Sequence, residues 1–340
     1  MTTKKDIESA LMRGADTLRD TIDAANYKDY VLPVMFVKYL SDSYTDAVEE
    51  LSKQYAGIRL ERQKKYLPFM VAEGCSFYDL YQQRFADNIG QLMNAAMRQI
   101  EADNNQQLAG VLSAVDYNSE NALGTREHKN AILRDLLEDF EPLDLRPSAI
   151  EVKEGQVPAD VIGDAYEYMI GQFASMAGKK AGSFYTPAAV SEMMARIVDV
   201  QPGERVYDPT CGSGSLLIKA AKKQNSKEVS IYGQEVNGSS VAMAKMNMYI
   251  HEIRDAKIGW GDTLANPVFL DADGNLLLFD AIVANMPFSK DKWASGFNPG
   301  GESSGKGKKE FKMEASLDKF HRFDWGVPPA SKGDWAFLLH

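Results

Sequence analysis

Apolar residues recur at helical spacing through the first part of the chain. Ile7, Leu11, Ala15, Leu18 and Ile22 fall three or four positions apart with charged residues between them, which predicts an amphipathic helix with one buried face. Tyr30 to Tyr44 is a denser apolar run and predicts a more deeply buried helix. Further helices are expected over 81–100 and 128–139, separated by polar stretches such as Asp103-Asn104-Asn105-Gln106-Gln107. The region from residue 5 to about 145 therefore reads as a helical domain.

The pattern then changes. Two prolines and alternating charges between Glu141 and Pro158 predict a linker, after which a helix starts with the acidic Asp160 and ends near Gly178. Beyond it, short apolar runs at 204–208, 229–235, 256–260 and 278–284 alternate with helical stretches at Leu216–Lys223 and Ser239–His251. That alternation predicts an α/β domain with a parallel sheet. Thr186 is the expected N-cap of a further helix, with Pro187 at its first position. The last apolar run, Leu276 to Val283, reads as a buried strand that stops at Asn285.

Composition narrows the class. With 44% hydrophobic and 25% charged residues, the 340-residue chain has the makeup of a folded globular protein with room for two domains. No apolar run approaches the roughly 20 residues needed to span a bilayer, and the start lacks a signal-peptide core, so a cytoplasmic protein without membrane contact is expected. Cys75 and Cys211 lie in different predicted domains, which predicts reduced thiols. His128, His251, His321 and His340 lack ligand spacing, so no metal site is expected. The net charge of −10 is unlike that of a protein that grips a long duplex by itself, and it points to a partner for any work on DNA.

The candidate chemistry sits at the predicted strand ends. Gly212 and Gly214, in the loop Val206–Ser215, allow positive φ and close approach of backbone to a ligand. A dinucleotide fingerprint would need Gly or Ala at position 217, where the chain has Leu217, and Asp208 at the strand end would repel a pyrophosphate. A donor with an ammonium and a sulfonium matches better, which favours S-adenosylmethionine over NAD. Glu235 ends the second strand, where a carboxylate can accept both hydroxyls of a ribose. Asn285 offers a side-chain carbonyl and Met286 a backbone carbonyl held extended by Pro287, and Phe288 supplies a face on which a ring can stack. Two acceptors beside an aromatic suit a planar base with an exocyclic amino group, without saying whether it is adenine or cytosine.

Asn285-Met286-Pro287-Phe288 resembles the Asn/Asp-Pro-Pro-Tyr/Phe motif of amino-group DNA methyltransferases, with Met286 where that family usually has its first proline. Ala15-Asp16-Thr17-Leu18-Arg19, Tyr27–Leu32 and Phe36–Asp42 are similar to the amino-terminal helical domain of HsdM, the modification subunit of type I restriction-modification systems. Ser183-Phe184-Tyr185-Thr186-Pro187 resembles the methylase element that contacts the methyl donor, and its place upstream of the glycine loop is the order of the gamma class. The stretch from Gly326 to His340 resembles the turn and helix after the family's catalytic strand.

The resemblance implies an α + α/β protein, with a helical domain over 1–150 for DNA and specificity-subunit contacts and a Rossmann-like methyltransferase domain over 151–340 that lacks its carboxyl-terminal strands. It implies transfer of a methyl group from S-adenosylmethionine to N6 of adenine at a DNA sequence chosen by a specificity subunit. The implied partners are DNA, an HsdS-like specificity subunit carrying a pair of modification subunits, and an HsdR-like restriction subunit. Asn285, Met286, Pro287 and Phe288 take the catalytic positions. Ser183, Phe184, Tyr185, Thr186, Pro187, Asp208, Gly212, Ser213, Gly214, Ser215, Glu235 and Asp262 take the cofactor-binding ones. Ser289 to Arg322, rich in Gly, Ser and Lys, reads as a lid or a disordered loop whose Lys306, Lys308, Lys309 and Lys312 are candidates for phosphate contact.

Overall fold

A computed structural model describes residues 1–55, 66–178, 185–222, 228–288, 290–298 and 311–340. The chain divides into two compact units, one made of Met1–Ala181 with Lys245–Arg254, the other of Gly182–Ala244 with Asp255–His340.

The first unit is helical. Its opening helix α1 (Lys4–Thr17) starts at a capping box in which Thr3 Oγ1 accepts from Asp6 N at 3.2 Å and Asp6 Oδ2 accepts from Thr3 N at 2.8 Å. Ile7, Ala10, Leu11 and Ala15 are buried along one face, as their spacing predicts, but the helix stops at Thr17 and Ile22 lies in the turn beyond it. Helix α2 (Tyr27–Gln54) buries nearly every residue from Tyr27 to Ser43. The single helix expected over 81–100 is two, α3 (Phe77–Gln82) and α4 (Ile89–Asp103). Ser76 and Asp79 form a second capping box that starts α3 early, which periodicity of apolar residues does not register. Helices α5 (Arg126–Phe140) and α6 (Pro158–Ala177) follow, α6 ending at Gly178 with φ 60°.

The expected linker at 141–158 is packed. Leu143, Leu145 and Ile150 are buried, Leu145 N donates to Asp42 Oδ2 at 2.7 Å, and the backbone of Thr2 pairs with Ala149 and Glu151 at 2.8 and 2.9 Å. Asp42 also accepts from Lys38 Nζ at 2.6 Å, deep in the unit, so this stretch closes over a buried ion pair. The compact unit thus runs past residue 150 and includes α6, which packs along α1 through its apolar face. No helix among the described residues is long and apolar enough to cross a membrane.

The second unit holds a parallel sheet in the order β3-β2-β1-β4, with β1 Arg205–Asp208, β2 Ser230–Glu235, β3 Lys257–Trp260 and β4 Ala281–Ile282. Helix α7 (Ala188–Val198) lies against α8 (Ser215–Lys222), and β2 leads into α9 (Gly238–Ile250), whose last turns from Lys245 belong to the first unit.

Two expectations change here. The strand expected to be buried from Leu276 shrinks to two residues, and Leu278 and Ile282 are 78% and 57% exposed. Successive side chains of a strand point to opposite faces and only one face is covered here, so Ala281 and Val283 are buried while Ile282 between them is exposed; among the described residues β4 pairs with β1. The stretch after Phe288 is in part a small core. Trp293, Met313, Phe323 and Phe337 bury against Leu264, and helix α10 (Gly333–Leu339) closes the cluster. Arg322 is held at 2.8 Å by Asp318, both side chains nearly fully buried. Lys312 is exposed, while Lys306, Lys308 and Lys309 lie outside the described residues.

Candidate functional site

The site is built where β1 and β4, side by side, reach their carboxyl ends. At the end of β1 the chain must turn within a few residues into α8. Gly212 and Gly214 adopt φ 52° and 77°, and Gly214 N closes the turn on Cys211 O at 2.7 Å. Thr263 braces this loop from the β3 end, its hydroxyl donating to Pro209 O at 2.6 Å.

Two carboxylates lie beneath the loop. Asp208 is 2% exposed and accepts from Thr210 N at 2.8 Å. Burial, with Glu235 nearby, pushes its carboxyl up to about 7, against the Thr210 N–H that lowers it. Glu235 is 6% exposed, and burial raises its carboxyl too. Its oxygens accept from Gly212 N at 3.0 Å and Asn237 N at 2.8 Å, so the residue expected to take a ribose also ties down the glycine loop. Asp262 Oδ1 accepts from Leu264 N and Ala265 N, which fixes the turn after β3. Asp208, a buried acid that resists ionising, is a fitting receptor for a cationic ligand, which favours the ionised form.

Asn285 follows β4, anchored to β1 through Val283 N and Tyr207 O at 2.9 Å. Its amide Nδ2 donates to Thr186 Oγ1 at 3.1 Å. Thr186 was expected to cap α7, but the helix starts one residue later, with Pro187 at the N-cap and no side-chain cap bond. The hydroxyl serves Asn285 instead.

One cleft gathers much of this. Of the predicted cofactor residues, Tyr185, Thr186, Asp208, Gly212, Ser213 and Ser215 line it, and Asn285 of the predicted catalytic residues joins them. Pro187, Gly214, Glu235, Asp262, Met286, Pro287 and Phe288 are not among the residues that line it, and Ser183 and Phe184 lie outside the described residues. About 310 Å³ of space, open solvent at its mouth included, lies within the cleft. Phe288 is 83% exposed, and Met286 packs on the apolar cluster around Trp293. Met286 therefore exchanges a proline's rigidity for a side-chain anchor.

Thr210, Cys211 and Leu216, none of them a cofactor residue expected from the motifs, also line the cleft. Thr210 and Cys211 stand between β1 and the first glycine and Leu216 in the first turn of α8, and loop spacing alone carries no sign of which way they point. Burial, then the charges of Asp208 and Glu235, raise the Cys211 thiol well above its ordinary value, so it stays protonated and is no nucleophile for attack on a base.

Comparison with known proteins agrees with this layout. Residues 157–340 match the family described as N-6 DNA Methylase, and residues 7–140 match the HsdM N-terminal domain. The methyltransferase subunit of a type I restriction-modification system from Streptococcus thermophilus, a crystal structure, superposes with a TM-score of 0.73 at 30% identity, over 99% of this chain and 71% of that one. The type I restriction enzyme MjaVIII methylase subunit of Methanocaldococcus jannaschii is 29% identical over 96% of this chain and 53% of its own length. The MpnII methylase subunit of Mycoplasma pneumoniae is 29% identical over 98% of this chain and 64% of its own. The chain thus spans about half to two thirds of the length of these curated relatives. With a glycine loop, the buried Asp208 and the Asn285 amide on one cleft, and an HsdM-type helical region earlier in the sequence, the chain belongs to the N-6 DNA methylase family of type I modification subunits.

Proposed function

We propose that this chain is the methylating part of a type I modification subunit, acting on the exocyclic amino group of adenine in DNA. The observation that carries the reading is that Asp208, an acid with no use in binding an anion, and Asn285, an acceptor for an amino group, line the same cleft from adjacent strands. S-adenosylmethionine, when bound, would supply a methyl group on a sulfonium, open to direct displacement by an amino nitrogen. Asp208 would meet its positive charge, Glu235 would accept its ribose hydroxyls, the glycine loop would admit it close to the backbone, and Asp262 would meet the amino group of its adenine.

The remaining work falls to the β4 end. A base inside a duplex is out of reach, so the target is rotated out of the stack. Phe288, already solvent-facing, stacks on it; the Asn285 carbonyl and the Met286 backbone carbonyl accept its two N–H bonds. Those bonds draw the nitrogen lone pair out of conjugation, and the proton leaves to solvent. Pro287 holds the turn. No side chain need be a strong base, and no covalent bond to the protein is required.

With a net charge of −10, the chain leaves much of the grip on DNA to a specificity subunit, which also sets the sequence, and the helical region is the surface for that subunit and for DNA. A pair of such chains on one specificity subunit, joined by a restriction subunit in the cytoplasm, is the assembly in which it works. The test is transfer of tritiated methyl groups to unmethylated genomic DNA, with and without the co-expressed specificity subunit, followed by nucleoside analysis. N6-methyladenine in the complex, lost on Asn285→Ala while cofactor affinity stays within a few-fold, is the expected outcome. Label in cytosine, or transfer that survives Asn285→Ala, overturns it.

A further inference from the structure

We propose that Thr186 is a positioning residue whose hydroxyl accepts from the NH2 end of the Asn285 amide and so steadies the orientation in which its carbonyl faces the target base. The proposal rests on the reading of Asn285 as an acceptor.

An asparagine amide has two ends of nearly equal size, one a donor and one an acceptor, and its last torsion is broad and close to two-fold. The backbone at β4 fixes where the side chain starts and leaves that torsion open. Only one orientation serves the chemistry. With the NH2 end turned toward the exocyclic amino group of the base, two donors would meet and no bond would form. Thr186 Oγ1, 3.1 Å from Asn285 Nδ2, supports the productive one: a hydroxyl can accept as well as donate, so once Oδ1 faces the amino group of the base, Oγ1 satisfies the NH2 end that would otherwise lack an acceptor.

The tether is held from both sides. Thr186 precedes Pro187, whose φ of −54° fixes the entry to α7, and α7 is seated through the buried Ser191 and Ala195. Asn285 hangs from β4, bonded to β1. The two residues are 99 positions apart, so the bond ties the element ahead of the glycine loop to the base-binding turn. A β-branched threonine suits the task, since its χ1 is stiffer than that of a serine. Family resemblance gives the Phe-Tyr-Thr-Pro element to the methyl donor; the geometry here gives its hydroxyl to the catalytic amide.

The experiment compares Thr186→Val, which keeps the shape and removes the oxygen, with Thr186→Ser, which keeps the oxygen. Both are made in the complex with the specificity subunit. Loss of one neutral hydrogen bond is expected to lower kcat for T186V roughly tenfold. KM and calorimetric Kd for S-adenosylmethionine should stay within about threefold and the melting midpoint should hold, while T186S keeps kcat within about threefold. An unchanged kcat in T186V, a T186S as poor as T186V, or a donor Kd that rises tenfold while kcat holds, overturns the proposal. A second readout needs no turnover. In asparagine-labelled protein, the Asn285 side-chain amide, assigned by its loss in Asn285→Ala, should exchange with solvent about tenfold faster in T186V and at the native rate in T186S. Equal exchange in all three refutes the tether, whereas a native complex that makes no N6-methyladenine refutes the functional reading and leaves the exchange result standing.

Discussion

Replacing Asp208 by Asn should stabilise the ligand-free protein at alkaline pH and cripple its hold on the methyl donor. The carboxyl of Asp208 is pushed from its ordinary 3.8 up to about 7, burial being the largest cause. A folded-state value above the unfolded one means that the folded protein prefers the protonated acid. The contribution to stability is therefore full below about pH 4 and is lost as pH rises through 7. A shift of that size corresponds to on the order of 4 kcal/mol at pH 8. Asparagine carries no charge to desolvate, but it accepts more weakly from Thr210 N and brings an NH2 that needs a partner, at a cost of roughly 1–3 kcal/mol. The net expectation is a gain of about 1–3 kcal/mol at pH 8 and none at pH 4.5, read from urea unfolding. Binding runs the other way. A cation in the cleft requires the ionised acid, so the affinity of the native protein for S-adenosylmethionine should fall about tenfold from pH 8 to pH 6. Asp208→Asn should bind weakly at both, with no such slope. An Asn variant less stable than the native protein at pH 8, or a native affinity that is flat between pH 6 and 8, would refute the reasoning.

Other perturbations separate stability from chemistry. Phe288→Ala should leave the urea midpoint unchanged, because the ring is 83% exposed, yet weaken productive DNA binding by about 1–3 kcal/mol through lost stacking; a fall in stability with normal KM for DNA would contradict the assigned role. Arg322→Ala strands the buried Asp318 carboxylate and removes the bonds to Thr263 O and Leu264 O, so it should cost about 3–5 kcal/mol in urea unfolding, and a cost under about 1 kcal/mol would mean that the pair is not buried. Met286→Pro keeps the backbone carbonyl while losing the side chain's seat on the Trp293 cluster, so methyl transfer should be retained or raised with a modest drop in melting temperature; complete loss of transfer would show that the methionine is a specific adaptation.

Much of the layout was legible in the chain because it is set by neighbours in sequence. The apolar spacing of Ile7, Leu11 and Ala15 marks the buried face of α1, and a Gly-x-Gly between a strand and a helix marks a tight turn that admits positive φ. The strand ends at Asp208 and Glu235 followed from where the apolar runs stop, and the family motif from four consecutive residues. Tertiary structure decided the rest. Whether Leu145 and Ile150 float in a linker or close over Asp42 depends on a partner surface roughly a hundred residues away, on which local periodicity is silent. The same holds for the stretch after Phe288, whose Gly, Ser and Lys content reads as a loop although Trp293 and Met313 are buried against Leu264. Asp208 looked like an ordinary ionised carboxylate until the glycine loop and Glu235 enclosed it. Thr186 had the spacing of a helix cap, and only the approach of β4 gave its hydroxyl to Asn285. Sequence fixes what each segment prefers alone; burial, pairing and the choice of hydrogen-bond partner are properties of what comes to lie beside it.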